Sequence, residues 1–361
     1  MLGRLQRIDA GKYSIFLVLV AVFAVSTLLN ENFLTGDNIT NVLRQVAVIT
    51  ILAYGVMALI IAGQIDLSSG AVMAFAGVVS VLVYKDTGSM ILAIAAAIAI
   101  GVACNLVSAF FVAQFNTPAF IVTLGMMMVA RGAVLEITQG QNVLQLGDFV
   151  TIGQGSLGFL PLPTLFLILI TIAVWYLMSQ TRFGRSVYAV GGNEDAARAA
   201  GIPVSRVKYQ AFVLNGVLVG FAGVLFMARV NAGLPNAGVG YELQAITAPI
   251  VGGTSFSGGV GTTAGTLAGA LIVGLLGNIM NLTGVGSYIQ QIVMGAIIVG
   301  AVAYDVWSKR GKRKTVTLAP RRSGDGPDAT GGAASSGADT GPTDPPSPTP
   351  SDPATTPRSH P

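Results

Sequence analysis

The chain has 361 residues, of which 10% are charged and 52% hydrophobic, and its mean hydropathy is +0.70. A soluble domain carries roughly 25% charged residues, so a soluble protein of this length could not cover its surface with so few. Residues 308–361 hold 13 of the 36 charges, and the other 23 nearly cancel, so the basic pI of about 9.3 marks no nucleic-acid-binding surface.

A bilayer core of about 30 Å needs about 20 apolar residues per crossing helix. Charge-free stretches counted on that scale predict an all-α, polytopic membrane protein with about ten transmembrane helices, some short or interrupted. The spans fall near 14–30, 45–63, 69–84, 90–113, 118–136, 162–180, 209–229, 243–253, 261–280 and 287–306. The run at 87–130 divides at Gln114–Pro118. The 62-residue run at 243–304 divides at Gly252–Gly261 and again at Asn281–Ser287. The resulting organisation is an N-terminal segment 1–13, a transmembrane body 14–307 and a tail 308–361.

Placement of Lys and Arg orients these spans. Arg4, Arg7 and Lys12 precede the first span. Arg182, Arg185, Arg198, Arg206 and Lys208 fall in the loop 181–208, and Lys309, Arg310, Lys312, Arg313 and Lys314 follow the last span. With ten spans these groups share one side, so both termini are expected in the cytoplasm. A cleaved signal peptide at 1–30 would spoil this bias, which favours an uncleaved first span. The tail, rich in Pro, Gly, Ser and Thr, cannot bury enough apolar area to offset its ordering entropy and is expected to be disordered.

Between spans two and three, Asp66 sits among Ala62-Gly63-Gln64-Ile65 and Leu67-Ser68-Ser69-Gly70. Non-helical backbone at membrane depth needs protein or a water-filled cavity around it. Asp66 and Ser68 therefore either cap the next helix or line a pathway. Gly252–Gly259, with Thr254 and Ser255, forms a second break in the other half of the chain. The pair resembles the interrupted helices of transporters. Within spans, Asn105, Asn215 and Gln290 read as interhelical hydrogen-bonding groups or, alternatively, as pathway-lining groups. Arg131, near the end of span five, points inward or to the interface. Small residues at Gly216 and Gly220, and at Gly261, Gly265 and Gly269, supply faces for close helix packing.

The loop 181–208 contains Gly192-Asn193-Glu194-Asp195-Ala196-Ala197-Arg198-Ala199-Ala200-Gly201-Ile202-Pro203. Asn193 reads as an N-cap, Glu194 and Asp195 as acidic complements to the positive helix end, Gly201 as C′, and Pro203 as a stop. Ala196, Ala197 and Ala200 offer a small-residue surface suited to docking on another protein, or the segment is a plain connector.

One cysteine, Cys104, and one histidine, His360, leave no intrachain disulfide, no His/Cys metal cluster and no Ser-His-Asp triad. Gly153–Gly158 fits G-x-G-x-x-G but follows no strand, and no G-x-x-x-x-G-K-[ST] occurs. No catalytic residue and no cofactor is expected on this chain.

Several blocks in order resemble the membrane permease subunits of ribose-type sugar ABC importers over residues 40–306. They are Gly63-Gln64-Ile65-Asp66-Leu67-Ser68, Thr117-Pro118-Ala119-Phe120-Ile121-Val122-Thr123-Leu124-Gly125 followed by Ala130-Arg131-Gly132, Thr181-Arg182-Phe183-Gly184-Arg185, Ala189-Val190-Gly191-Gly192-Asn193 with Ala196–Ile202, and Gly252-Gly253-Thr254-Ser255 with Ser257-Gly258-Gly259. The resemblance implies that Asn193, Glu194, Asp195, Ala196, Ala197, Arg198, Ala200 and Gly201 form a coupling helix in a groove of an ABC ATPase subunit, which carries the ATP and Mg. It also implies a second permease subunit (a homodimer), an extracytoplasmic sugar-binding protein, and residence in the plasma (inner) membrane of a prokaryote. Asp66, Ser68, Asn105, Phe120, Thr123, Asn215, Thr254 and Ser255 are the translocation-path candidates. Gln64 stands where the family usually has glycine, and Ser69-Gly70-Ala71 replaces its common Val-Gly-Ser. Those departures bear on the substrate more than on transport. The alternative function is an ion-coupled secondary transporter of a small polar solute, with Asp66 as its titrating group.

Overall fold

A computed structural model describes residues 10–313. Most of the predicted N-terminal segment 1–13, and residues 314–361 of the predicted disordered tail, lie outside the described residues. The side chains of the basic cluster Lys309–Lys314 lie outside them too.

The described chain is almost wholly helical. The helices are α1 (Ala10–Leu29), α2 (Gly36–Ile61), α3 (Ser69–Thr87), α4 (Met90–Gln114), α5 (Ala119–Thr138), α6 (Thr151–Gln154), α7 (Leu162–Gln180), α8 (Arg182–Gly192), α9 (Glu194–Ala199), α10 (Val204–Val230), α11 (Tyr241–Val251), α12 (Thr263–Leu282) and α13 (Ser287–Arg313). One two-residue hairpin, β1 (Ser156–Leu157) with β2 (Leu160–Pro161), precedes α7. Helices dominate because each satisfies its own backbone N–H and C=O groups where water is absent.

Every predicted span contains a helix, but not every helix can cross. Seven are long and apolar enough: α2, α3, α4, α5, α7, α10 and α12. The apolar parts of α1 and α13, Ile15–Leu29 and Ser287–Ala303, are shorter. The predicted eighth span, 243–253, is α11, one of the short helices the sequence leads one to expect. α11 has 11 residues, so at 1.5 Å per residue it covers only about half of a 30 Å core. The backbone turns inside the predicted break, Gly252–Gly261. Here it turns because Gly253 takes φ +88° and closes the helix, with Gly253 N–H donating to Ile250 O (2.9 Å) and Thr254 N–H to Pro249 O (2.8 Å). α13 continues past residue 307 through Arg313.

α2 and α10 form the centre. In their most apolar windows 89% and 78% of residues are buried, as are 78% in α12, against 28%, 22% and 28% for α4, α5 and α7. The peripheral helices turn apolar side chains such as Ile91, Met128 and Ile172 outward, as a surface in contact with lipid requires. α10 packs along α4, α2 and α3. The predicted Gly216/Gly220 face is what allows this. A Cβ added at Gly216 would come within 2.6 Å of Gly101 O on α4, so only glycine permits that helix separation. The second glycine face needs correction. Gly265 and Gly269 press against the α11 backbone at Gly252 and Ala248, but Gly261 precedes α12 and meets Ile61 instead. α12 starts later because Thr262 is its N-cap, its Oγ1 accepting from Gly265 N–H at 3.0 Å.

Candidate functional site

The break after α2 has the same chemistry as the break after α11. Gly63 takes φ +77°, Gly63 N–H donates to Ile60 O (2.9 Å), and Gln64 N–H donates to Leu59 O (2.8 Å). The two breaks, nearly 200 residues apart in sequence, meet in space, where Gly259 N–H donates to Ile61 O at 2.9 Å. That bond satisfies a carbonyl left free at the end of α2. The C-terminal end of α8 joins the same point, because a side chain at Gly191 would collide with Ile61 O. Tyr188 OH on α8 donates to Gly261 O (2.9 Å), and burial pushes this phenol above its ordinary pKa.

Beyond the first break the chain reaches Asp66, which is fully buried. Its Oδ1 accepts from Ser68 N–H (2.7 Å) and Ser68 Oγ (2.6 Å), and its Oδ2 accepts from Ser69 Oγ (2.7 Å) and Asn215 Nδ2 (2.6 Å). Four donors compensate a carboxylate that has no basic side chain within ion-pair distance among the described residues. The Asp66 carboxylate thus meets a free N–H at the start of α3. Ser68 is the N-cap of α3 with no side-chain cap bond of its own, and Asp66 binds the Ser68 backbone and both hydroxyls. Asn215 Nδ2 also donates to Asn105 Oδ1 (2.9 Å), whose own amide donates to Gly101 O (3.0 Å). Asn105 and Asn215 therefore bond across helices, about halfway along α4 and α10. Thr123 holds the break from α5, its Oγ1 accepting from Leu67 N–H at 3.1 Å and lying 3.3 Å from Ile65 O.

On the other side of Gly63–Ile65 lies a cavity of about 450 Å³. Its walls include Gln64, Asn116, Thr117 and Phe120, together with Glu194 and Lys208. Of the eight path candidates, Phe120 lines it. Asp66, Ser68, Thr123, Asn105 and Asn215 lie in the polar knot behind it, and Thr254 and Ser255 are buried at the second break. Gln64, Asn116 and Lys208 were not among the sequence candidates. The reversal of direction at Asn116–Pro118 was the available signal for Asn116.

α9 forms as its sequence predicts. Asn193 Oδ1 accepts from Ala196 N–H (2.9 Å), and Gly201 at φ +80° closes the other end. Asp195, Ala196, Arg198, Ala199, Ala200 and Gly201 are exposed. Ala197 is corrected: it is buried against the body and cannot contribute to an outward docking face. In one and a half turns a residue whose side chain is buried on the inner side cannot also face out. Glu194 does more than complement the helix end. It pairs with Arg198 at 2.9 Å and with Lys208 on α10 at 3.0 Å, the latter a nearly buried side chain, 7% exposed. α8 adds an amphipathic helix that the loop reading did not specify. It is capped by Thr181 and turns Gly184, Val187 and Val190 inward.

Arg131 on α5 donates to Ala237 O (2.5 Å), tying α5 to the segment before α11. Gln290 bonds Asn281 Oδ1 and Val285 O, both at 2.8 Å, so it braces the α12–α13 turn and not a distant helix. Among the described residues, no group of three or more His, Cys, Asp and Glu side chains could hold a metal ion.

A family model described as "Branched-chain amino acid transport system / permease component" matches residues 38–302. The ribose import permease protein of Escherichia coli strain K12 is 41% identical over 297 residues, covering 81% of this chain and 92% of the relative. The L-arabinose ABC transporter permease protein of Azospirillum brasilense is 37% identical over 304 residues (84% and 90%). The D-allose transport system permease protein of E. coli K12 is 35% identical over 297 residues (81% and 91%). The chain belongs to the ribose-type family of ABC permease subunits. No solved structure matches it significantly. As a permease it is a multi-pass membrane transport subunit and not an enzyme. The relatives named above act on three different sugars, while the family description names amino acids, so membership fixes the machinery and not the solute.

Proposed function

We propose that this permease translocates a sugar delivered by an extracytoplasmic binding protein, with alternating access driven by a separate ABC ATPase subunit that holds ATP and Mg. The observation that carries the reading is α9. It is a six-residue helix, capped at both ends, whose outer face is small and exposed while its inner face is fixed to α10. Two isolated turns are marginal in water; the caps and the Lys208 pair supply the rigidity that a lever needs. Asn193, Glu194, Asp195, Ala196, Arg198, Ala200 and Gly201 make up this coupling segment, with Ala197 as its inward anchor. The cavity beside it lies within the roughly 300–1,000 Å³ range of small-molecule sites and presents amide and hydroxyl groups suited to a polyol.

A functional importer on this reading has two permease copies in the plasma (inner) membrane, with both termini cytoplasmic. The ion-coupled alternative loses its main support, because Asp66, its titrating candidate, is engaged by four internal donors.

The test is uptake of ribose, arabinose and allose by proteoliposomes containing this chain, its ATPase and its binding protein. Accumulation that requires ATP on the α9 side is expected. Accumulation driven by a proton or sodium gradient without an ATPase would sink the reading.

A further inference from the structure

The Glu194–Lys208 pair occupies an unusual position. Glu194 is the first residue of α9, and Lys208 lies in the first turns of α10, a helix that continues to Asn215 in the polar knot. Both side chains line the 450 Å³ cavity, as does the Gly63–Ile65 break. Lys208 is nearly buried, and among the described residues the Glu194 carboxylate is its hydrogen-bonding and ion-pair partner, at 3.0–3.1 Å. A buried ammonium cannot be left behind when its counter-ion moves, because the uncompensated charge is strongly disfavoured. Any displacement of α9 therefore either drags α10 with it or opens the cavity to water that solvates Lys208.

We propose that the Glu194–Lys208 ion pair is the link that converts movement of α9 into opening and closing of this cavity. Lys208 is a positioning residue that acts through Glu194. The inference rests on the reading of α9 as the ATPase-docking helix. The other attachments of α9 do not supply the same link. Asn193 and Gly201 cap it locally, Arg198 pairs within the helix, and Ala197 makes apolar contact that can slide.

The experiment uses the full-length chain with Cys104→Ser and Thr117→Cys, so that the one thiol lies in the cavity wall. It is assembled with its ATPase in nanodiscs and labelled with a charged maleimide, with and without ATP and vanadate. The parent labelling rate is expected to change at least fivefold on ATP. Lys208→Gln is expected to reduce that change to under twofold while the ATPase still copurifies, and Glu194→Gln is expected to reduce it as far. Lys208→Arg, and the swap Glu194→Lys with Lys208→Glu, are expected to restore it, which a loss of folding would not allow. Single variants that keep the parent's change would overturn the link, as would a swap that fails to restore it. So would a parent that imports sugar with ATP while its labelling ignores ATP. If the parent shows no ATP-driven import at all, the importer reading itself fails and takes the link with it. The uptake measurement separates the two failures.

Discussion

Asn215 on α10 donates to Asp66 Oδ2 at 2.6 Å and to Asn105 Oδ1 on α4 at 2.9 Å. One amide group thus joins the break between α2 and α3 to the two helices that flank it. Around it no water-exposed group competes, since Asp66, Asn105 and Asn215 are each at most 2% exposed. The knot sets the position of α3, whose first turn begins on the two serines that Asp66 holds.

Replacing Asp66 by Asn puts an NH₂ group where two donors now point. Hydrogen bonds to charged groups contribute about 1.5–3 kcal/mol each, and a donor facing a donor removes one and strains another. Asp66→Asn is expected to lower stability by about 2–3 kcal/mol. Asn105→Ala, which removes interhelical bonds of about 0.6 kcal/mol on average, should cost less. Unfolding midpoints of the purified protein in denaturing detergent check the order.

Two glycines on different helices should respond in opposite ways. Gly216→Ala places a methyl group within 2.6 Å of Gly101 O, and overpacking of this kind costs about 1–3 kcal/mol. Gly125 on α5 has no atom within 4 Å of an added Cβ. Gly125→Ala should be neutral or stabilising by up to about 1 kcal/mol through helix propensity. Thermal melting followed by size-exclusion recovery distinguishes them.

Asn193→Ala removes the acceptor for Ala196 N–H. A lost N-cap of this kind costs about 1 kcal/mol, which here falls on a six-residue helix and leaves the transmembrane body intact. Weaker ATPase binding without a change in Tm is expected, with Asn193→Asp near the parent. Pull-down of the ATPase by the permease in detergent measures it.

Ala196 and Ala197 separate docking from folding. Ala196 is exposed and Ala197 buried. Ala196→Trp should leave Tm unchanged and abolish ATPase copurification. Ala197→Trp should instead lower the yield of folded protein, because its side chain has to displace the inner contact of α9. Equal Tm values for the two variants would contradict the burial assigned to Ala197.

The sequence by itself determined that this is a helical membrane protein, where most of its helices lie, and where two of them are interrupted. Those properties follow from local chemistry: charge is excluded from lipid, glycine readily closes a helix at positive φ, and Asn193 and Gly201 cap α9 from neighbouring positions. Tertiary structure decided what no local pattern encodes. It showed that Gly259 seals the end of α2 and that Asn215 belongs to Asp66. It also showed that Ala197 faces in and that Lys208 answers Glu194. Each of these is a contact between segments far apart in the chain or a choice of helix face, and both are fixed by the neighbours that close packing brings together.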